Sequence, residues 1–479
     1  MTNRKEVSAE SYIHANRNKS SLSSQSSLEA TSPHGIDEAQ LLNKVDRHVL
    51  PILFLVYIVA FLDRVNISNA LTLGLPAEIG LEGDQTNIVL TTFFVPYILF
   101  EIPSNLLMER FSPHIWLSGC AVCFGLVMVA QGFVQSYSGL LATRFFLGLT
   151  EAGMFPGSFY LISFWYKQEE AQKRFTIYWS STICAGAFGG LLASAIASMD
   201  GVLGLSSWRW IFLLEGLATV LVGLLAFFCI TDFPREAKWL SKKEREFIMR
   251  KTGTNETHAV SVTTKDVLLF FTHLKNWLGA VMYFCVLVPV YCMVYLLPTI
   301  IHSLGYPTLQ TQLRSVPPFA AAFGFAILAA YMSDRLQIRF PFIALGLSLL
   351  TAGLSILISV HGAAHSSAVY AALCLVAMGS IGIGGNLVCW YVMNLRGHVE
   401  RSIGSAWMIC FGNISGIVAP FLFLQKDAPS YRVGFSVCLF MGALSAISCA
   451  GYGLITLQAM RDVPKNKITG ESHEKSLYL

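Results

Sequence analysis

The chain has 479 residues, of which 54% are hydrophobic and 13% charged, about half the charged share of an ordinary soluble protein. That composition excludes a string of soluble domains, because the apolar surface exceeds what folded cores bury and calls for lipid. The formal net charge of +4 is not gathered in a patch, which excludes a nucleic-acid partner. All 11 cysteines fall inside apolar stretches, without disulfide or metal-ligand spacing, so they read as inert thiols, and neither metal nor cofactor is expected.

Residues 1–45 are polar and Ser/Asn-rich with no apolar signal region, and are expected to form a disordered cytoplasmic tail. Crossing the hydrocarbon takes about 20 mostly apolar residues in a helix. Twelve such stretches follow, near 48–69, 87–108, 114–134, 139–161, 175–198, 209–230, 273–301, 313–333, 341–360, 368–393, 402–424 and 433–459. The long polar gap at 231–272 separates a first group of six, 46–230, from a second, 273–460, and predicts a short amphipathic helix followed by a cytoplasmic linker. Residues 461–479 form a second cytoplasmic tail.

Orientation follows from the excess of Lys and Arg in cytoplasmic loops. With both termini inside, twenty-seven fall on inner segments and four on outer ones (Arg209, Arg314, Lys426, Arg432), with Arg64 and Arg144 inside spans. The sequon at Asn255 is then cytoplasmic and unglycosylated. Glu109-Arg110 ends the second span and Asp334-Arg335 the eighth, an acid and an arginine at matching inner ends. These four residues are expected to form a gating motif. Such an echo predicts parallel repeats and an all-α membrane protein of two six-helix bundles, with the substrate site between them near the midplane.

Ionisable side chains at membrane depth are costly and need a partner or a task. Asp63-Arg64 in the first span reads either as a self-neutralising pair or as a proton-titrating carboxylate beside an anion-binding guanidinium. In the fourth span Arg144, Gly148 and Glu151 share one helix face. There Glu151 is a candidate proton carrier, the alternative being a static Arg144–Glu151 clasp, and Gly148 predicts close backbone approach. Asn386, Trp390 and Asn394 form a stripe in the tenth span, and Asn413 lies in the eleventh, each either interhelical glue or a ligand contact. Tyr97, Tyr291 and Tyr295 lie on proline-containing helices and are candidate cavity residues. The glycines of 379–385 lie within an apolar helix and predict close packing, not a phosphate loop.

The run Leu62-Asp63-Arg64-Val65-Asn66-Ile67-Ser68-Asn69-Ala70 resembles the first-helix signature of the anion:cation symporter family of the major facilitator superfamily. Arg144, Gly148 and Glu151 match that family's fourth-helix motif, and the resemblance runs from about Leu41 to Asp462. The runs at 101–105 (EIPSN), 165–174 (WYKQEEAQKR) and 233–241 (FPREAKWLS) are most similar to the fungal allantoate and nicotinate permease branch. The resemblance implies protons on Asp63 and Glu151 and the anion on Arg64 and Arg144. Three departures stand out. Phe61 replaces a tyrosine of the bacterial sugar-acid symporters. Ser112-Pro113-His114 replaces the glycine and basic residues after the second helix. Glu400 stands where the fungal branch favours lysine.

The expected function is secondary active transport: proton-coupled symport of a small organic anion, such as a nicotinate- or allantoate-like monocarboxylate, across the plasma membrane by alternating access. A multi-pass monomer in the lipid bilayer is expected. The alternative is an exporter of an acidic secondary metabolite. The tails are short for a nutrient receptor, and the scattered histidines, with no nucleophile motif, speak against an enzyme.

Overall fold

The computed structural model of the chain describes residues 37–252, 264–336, 338–360, 365–395, 397–428 and 430–461. Twelve of its helical segments are long and apolar enough to cross a membrane. They are α1 (Glu38–Thr72), α2 (Gln85–Thr92 and Phe94–Arg110), α3 (Pro113–Gln131), α4 (Tyr137–Glu151 and Met154–Trp165), α5 (Gln168–Ala197), α6 (Ser207–Cys229), α7 (Leu274–Ser303), α8 (Thr308–Leu336), α9 (Phe340–Ser359), α10 (Ser366–Ser380 and Gly384–Met393), α11 (Gly397–Asn413, extended by Ser415–Val418) and α12 (Arg432–Arg461).

The helices form two six-helix bundles. In the first, α6 packs along α3 and α1; in the second, α9 packs on α10 and α12. The bundles meet where α1 faces α7, α5 faces α8 and α10, and α2 faces α11. Exposed apolar residues such as Leu99, Ile102, Leu221, Phe228, Phe440 and Leu454 cover the outer surface, where lipid rather than water is the matching solvent.

Four spans break near the bundle interface: at Phe93 in α2, Ala152–Gly153 in α4, Ile381–Ile383 in α10 and Ile414 in α11. Broken backbone is tolerated at membrane depth only where protein covers it, and glycines supply the room. A Cβ on Gly148 would sit 2.0 Å from the Phe93 carbonyl oxygen, and one on Gly416 would sit 2.2 Å from the Phe94 ring. The first contact realises the close approach predicted for Gly148. In the 379–385 run, Gly379 similarly meets the backbone of Gly346 and Leu350.

At the face that carries both chain ends, α1 begins earlier than the sequence suggests. Asp37 caps it by accepting from the Ala39 and Gln40 amides at 3.0 and 3.2 Å. Residues 38–45, expected to belong to the tail, are therefore helical; the rest of that tail lies outside the described residues. A short helix, Lys242–Thr252, straps this end. Lys251 pairs with Glu38 at 2.6 Å and Glu170 at 2.5 Å, and Glu244 with Lys44 at 3.0 Å. Burial lifts the Glu244 carboxyl, but the Ser241 amide and Lys44 outweigh it and hold the group below its ordinary value. This is the amphipathic helix expected in the central gap. Residues 253–263, with the sequon, and 462–479 lie outside the described residues.

The residues expected to form a gating motif do not pair within their own dipeptide. Asp334 accepts from Arg339 at 3.0 Å, while Arg335 and Arg110 are exposed. Adjacent residues on a helix point about 100° apart, so an Asp-Arg dipeptide does not close on itself. The Glu109 side chain lies outside what is described.

Candidate functional site

The centre of the bundle interface holds an ion pair. The Arg64 guanidinium donates to the Glu151 carboxylate, and both residues are fully buried. Three rings surround the guanidinium carbon, Phe61 at 5.4 Å and Phe93 and Tyr97 at 4.9 Å, which holds the cation by its charge–quadrupole attraction while excluding water. The backbone break at Phe93 places Phe93 and Tyr97 there, and Gly148 lets α4 approach that break closely enough for Glu151 to reach Arg64.

This pairing corrects both pairs read from the sequence. Asp63 and Arg64 do not neutralise one another, and Arg144 does not clasp Glu151. Arg144 lies 6.0 Å over the Phe212 ring, near enough to Asp63 and Glu151 to feel their charge, with Nε and Nη2 lacking hydrogen-bond partners. Asp63 turns away from Arg64 towards Thr219 of α6, and neither of its oxygens has a partner in hydrogen-bonding geometry. One helical position separates Asp63 and Arg64, and it sends them to different neighbours.

Beside Arg64 lies a cavity of about 30 Å³, lined from the first bundle by Tyr57, Phe61, Arg64, Tyr97, Phe155, Trp179 and Thr182, and from the second by Tyr283, Tyr291, Phe319, Ile381 and Asn413 among others. That holds a water or two, not an organic acid. The bundles touch on both sides of the cavity. Away from the chain ends, Ser68 donates to the Tyr295 carbonyl at 2.5 Å and Gln312 to the Thr72 hydroxyl at 2.8 Å. Towards the chain ends, the Trp179 indole covers Gly384 and Gly385, and Thr176 meets Cys389 at 3.8 Å.

Of the residues proposed from sequence, Arg64, Tyr97, Tyr291 and Asn413 line this cavity. Tyr291 donates to the Asn413 amide oxygen at 3.0 Å, and Tyr295 stacks on Tyr291 with centroids 5.9 Å apart. The tenth-span stripe does not line it. Trp390 packs on Tyr452 and Phe340 at 4.8 and 5.9 Å, and Asn394 binds its own helix through the Trp390 carbonyl at 2.9 Å. Asn386 is buried with its amide nitrogen unpartnered. The stripe is one face of α10, but that face turns towards α9 and α12.

Two carboxyls escaped the sequence reading. Glu101 of α2 is buried one turn beyond Tyr97 and faces Cys410 and Asn413 of α11 across the bundle interface, with Oε2 unpartnered. Glu215 of α6 is buried and accepts from the Asn66 amide at 2.5 Å. The available signal was an acid alone in an apolar run, at FEIPSN and FLLEGLAT.

Residues 53–420 match the Major Facilitator Superfamily. The chain belongs to that superfamily. It is 31% identical to the MFS-type transporter cnsO of Penicillium expansum, over 86% of this chain and 82% of that protein. It is 31% identical to the high-affinity nicotinic acid transporter of Saccharomyces cerevisiae, over 85% and 76%. It is also 30% identical to a putative tartrate transporter of Agrobacterium vitis, over 90% and 96%. The fold matches that of the xylose transporter XylE from E. coli in a partially occluded inward open conformation, with a TM-score of 0.63 at 16% identity, over 89% of this chain and 99% of that one. A bacterial homologue of the lysosomal transporter Spinster gives 0.66 at 16% identity, over 85% and 96%. This major facilitator is thus a multi-pass membrane transporter of small solutes and not an enzyme.

Proposed function

We propose that the chain carries a small organic anion together with a proton, by rocking its two bundles about the Arg64 cavity. The observation that carries the reading is the buried Arg64–Glu151 pair, whose guanidinium lines the cavity. A guanidinium binds a carboxylate in a planar fork and stays charged throughout. An incoming carboxylate competes with Glu151 for Arg64. When it wins, Glu151 is left without its countercharge, and binding a proton there restores neutrality at a depth where a lone charge costs several kcal/mol. Anion and proton then load as one neutral set, and Asp63 with Arg144 offers a second carboxyl–guanidinium couple alongside.

A small carboxylate substrate is supported by the names of the yeast and Agrobacterium relatives, and a monocarboxylate by the yeast one and by the aromatic lining, which suits a flat ring or short acid. The lopsided Lys and Arg distribution supports cytoplasmic termini, with residues 46–230 and 273–460 as the two rocking units. The reading places a monomer in the plasma membrane and has it import.

The test is uptake of labelled small carboxylates, nicotinate and allantoate among them, by yeast lacking its own permeases, at pH 5 and pH 7.5. Strong accumulation at pH 5 that a protonophore collapses is expected. No uptake of any of them by protein shown to be at the cell surface would sink import and shift the search to exported acids.

A further inference from the structure

Behind Arg64, on the side of α1 that packs on α6, lies a second polar cluster, of which the transport cycle above draws on Asp63 alone. It consists of Asp63 and Asn66, one turn apart on α1, and Glu215 and Thr219, one turn apart on α6, all buried. Among the described residues no lysine, arginine or histidine nitrogen comes within 4.0 Å of either carboxyl. Asp63 and Glu215 are close enough to act on each other's charge.

The cluster is short of donors: against its orphaned acceptors stands only the Thr219 hydroxyl, itself without a partner. Both Asp63 oxygens, the Asn66 amide oxygen and Glu215 Oε1 are buried acceptors without a partner. The Asn66 amide group already serves Glu215 Oε2 at 2.5 Å. A carboxylate accepts only, whereas a protonated carboxyl also donates, so one added proton converts an orphaned acceptor into the missing donor. Charge balance asks for the same number. Arg64 and Glu151 cancel, and Arg144, whose charge acts on Asp63, offsets one of the cluster's two carboxylates. The other is left uncompensated, at a cost of several kcal/mol if ionised.

We infer that Glu215 is the second carboxyl of the proton site, and that it and Asp63 hold one proton between them across the α1–α6 contact. The inference rests on the proton-coupled reading and extends it to a residue outside the cavity wall. The groups facing the pair are Arg144 and Glu151 from α4, Thr219 from α6 and Asn66 from α1. Each carboxylate strengthens the other's hold on the proton by repulsion between like charges, and Asn66 weakens it by donating to the ionised form.

The experiment is the pH profile of uptake in the full-length chain with the Glu215→Gln and Asn66→Ala variants, each normalised to surface protein. In Glu215→Gln the like charge is gone, so half-maximal uptake should move to lower pH by about one unit or more. In Asn66→Ala a donor to the ionised form is gone, so it should move the other way, to higher pH. Glu215→Asp, which restores a carboxyl, should return the profile towards the parent's. If the parent is proton-driven and both Glu215→Gln and Asn66→Ala keep its profile, the shared proton is overturned. If Glu215→Gln fails to reach the surface, absence of the alkaline shift in Asn66→Ala overturns it alone. If the parent's uptake ignores protonophore and follows a sodium gradient, the proton-coupled reading itself falls, a distinguishable result.

Discussion

The two bundles share a backbone plan but divide the chemistry unequally. At membrane depth the first buries Asp63, Arg64, Glu101, Arg144, Glu151 and Glu215, whereas among the described residues the second buries a single charged side chain, Arg339, at the start of α9 near the chain-end face. What the second bundle turns towards the cavity is aromatic or neutral: Tyr283, Tyr291, Phe319 and Asn413. Charge is thus concentrated in one bundle, and the partner bundle supplies shape and hydrogen bonds from groups whose burial costs far less. In the proposed cycle, rocking one against the other carries few charges across the interface.

The strongest way to break this division is to remove its one cavity guanidinium. Arg64→Gln should abolish uptake, by 100-fold or more, while leaving surface expression intact. Arg64→Lys should recover little of it, because an ammonium cannot fork a carboxylate. Near-normal uptake by Arg64→Gln would move the anion site to Arg144.

Next in size is the carboxylate that guards Arg64. Glu151→Gln leaves the guanidinium without its countercharge, so the anion should bind more tightly and exchange in counterflow, while net proton-driven accumulation is lost. Loss of both activities in well-folded, surface-exposed protein would mark Glu151 as a structural clasp and nothing more.

On the other bundle the same logic gives smaller numbers. Tyr291→Phe removes the donor to Asn413, and Asn413→Ala removes a cavity amide. A neutral hydrogen bond contributes about 1 kcal/mol, so each should raise KM by roughly five- to tenfold with kcat nearly unchanged. A collapse of kcat as large as that from Arg64→Gln would contradict the division of labour.

The unequal division also shows what a sequence does and does not disclose. The twelve spans and their grouping were legible, because spanning length and polar punctuation are local properties. Arg64, Tyr97, Tyr291 and Asn413 were legible as cavity residues, because an unusual group at depth needs a reason wherever the helix turns. The pairing was not. Whether Glu151 takes Arg144, on its own helix, or Arg64, 87 positions away, depends on the rotation of α1 against α4, which Gly148 and the break at Phe93 set. Helix rotation likewise put Trp390 and Asn394 away from the cavity, since a shared stripe says nothing of where the stripe faces. Glu101 and Glu215 were not legible because the groups they face, amides and a thiol, stand on other helices.

The smallest effect lies outside the membrane-spanning segments, and it sharpens the comparison by showing what a carboxylate contributes when water remains near. On the face away from the chain ends, Glu78 accepts from Trp208 at 2.6 Å and from Arg209 Nε at 2.9 Å, and Ser206 adds a third bond. Arg209 also donates to the Gly132 carbonyl at 2.9 Å, which ties α3, α6 and the segment after α1 together. Partial burial lifts the Glu78 carboxyl, but the bonds from Ser206, Trp208 and Arg209 outweigh it and hold the group below its ordinary value of 4.5. The ionised form therefore stabilises the fold fully above pH 4.5, and that contribution fades as pH falls through the lower folded-state value. Glu78→Gln should lower Tm by about a degree or two at pH 7, the modest size expected of an exposed ion pair. The gap between variant and parent should narrow as the pH drops below 4.5. A gap that stayed constant to pH 3.5 would mean that the Glu78 contacts hold by hydrogen-bond shape, with the charge on Glu78 contributing nothing.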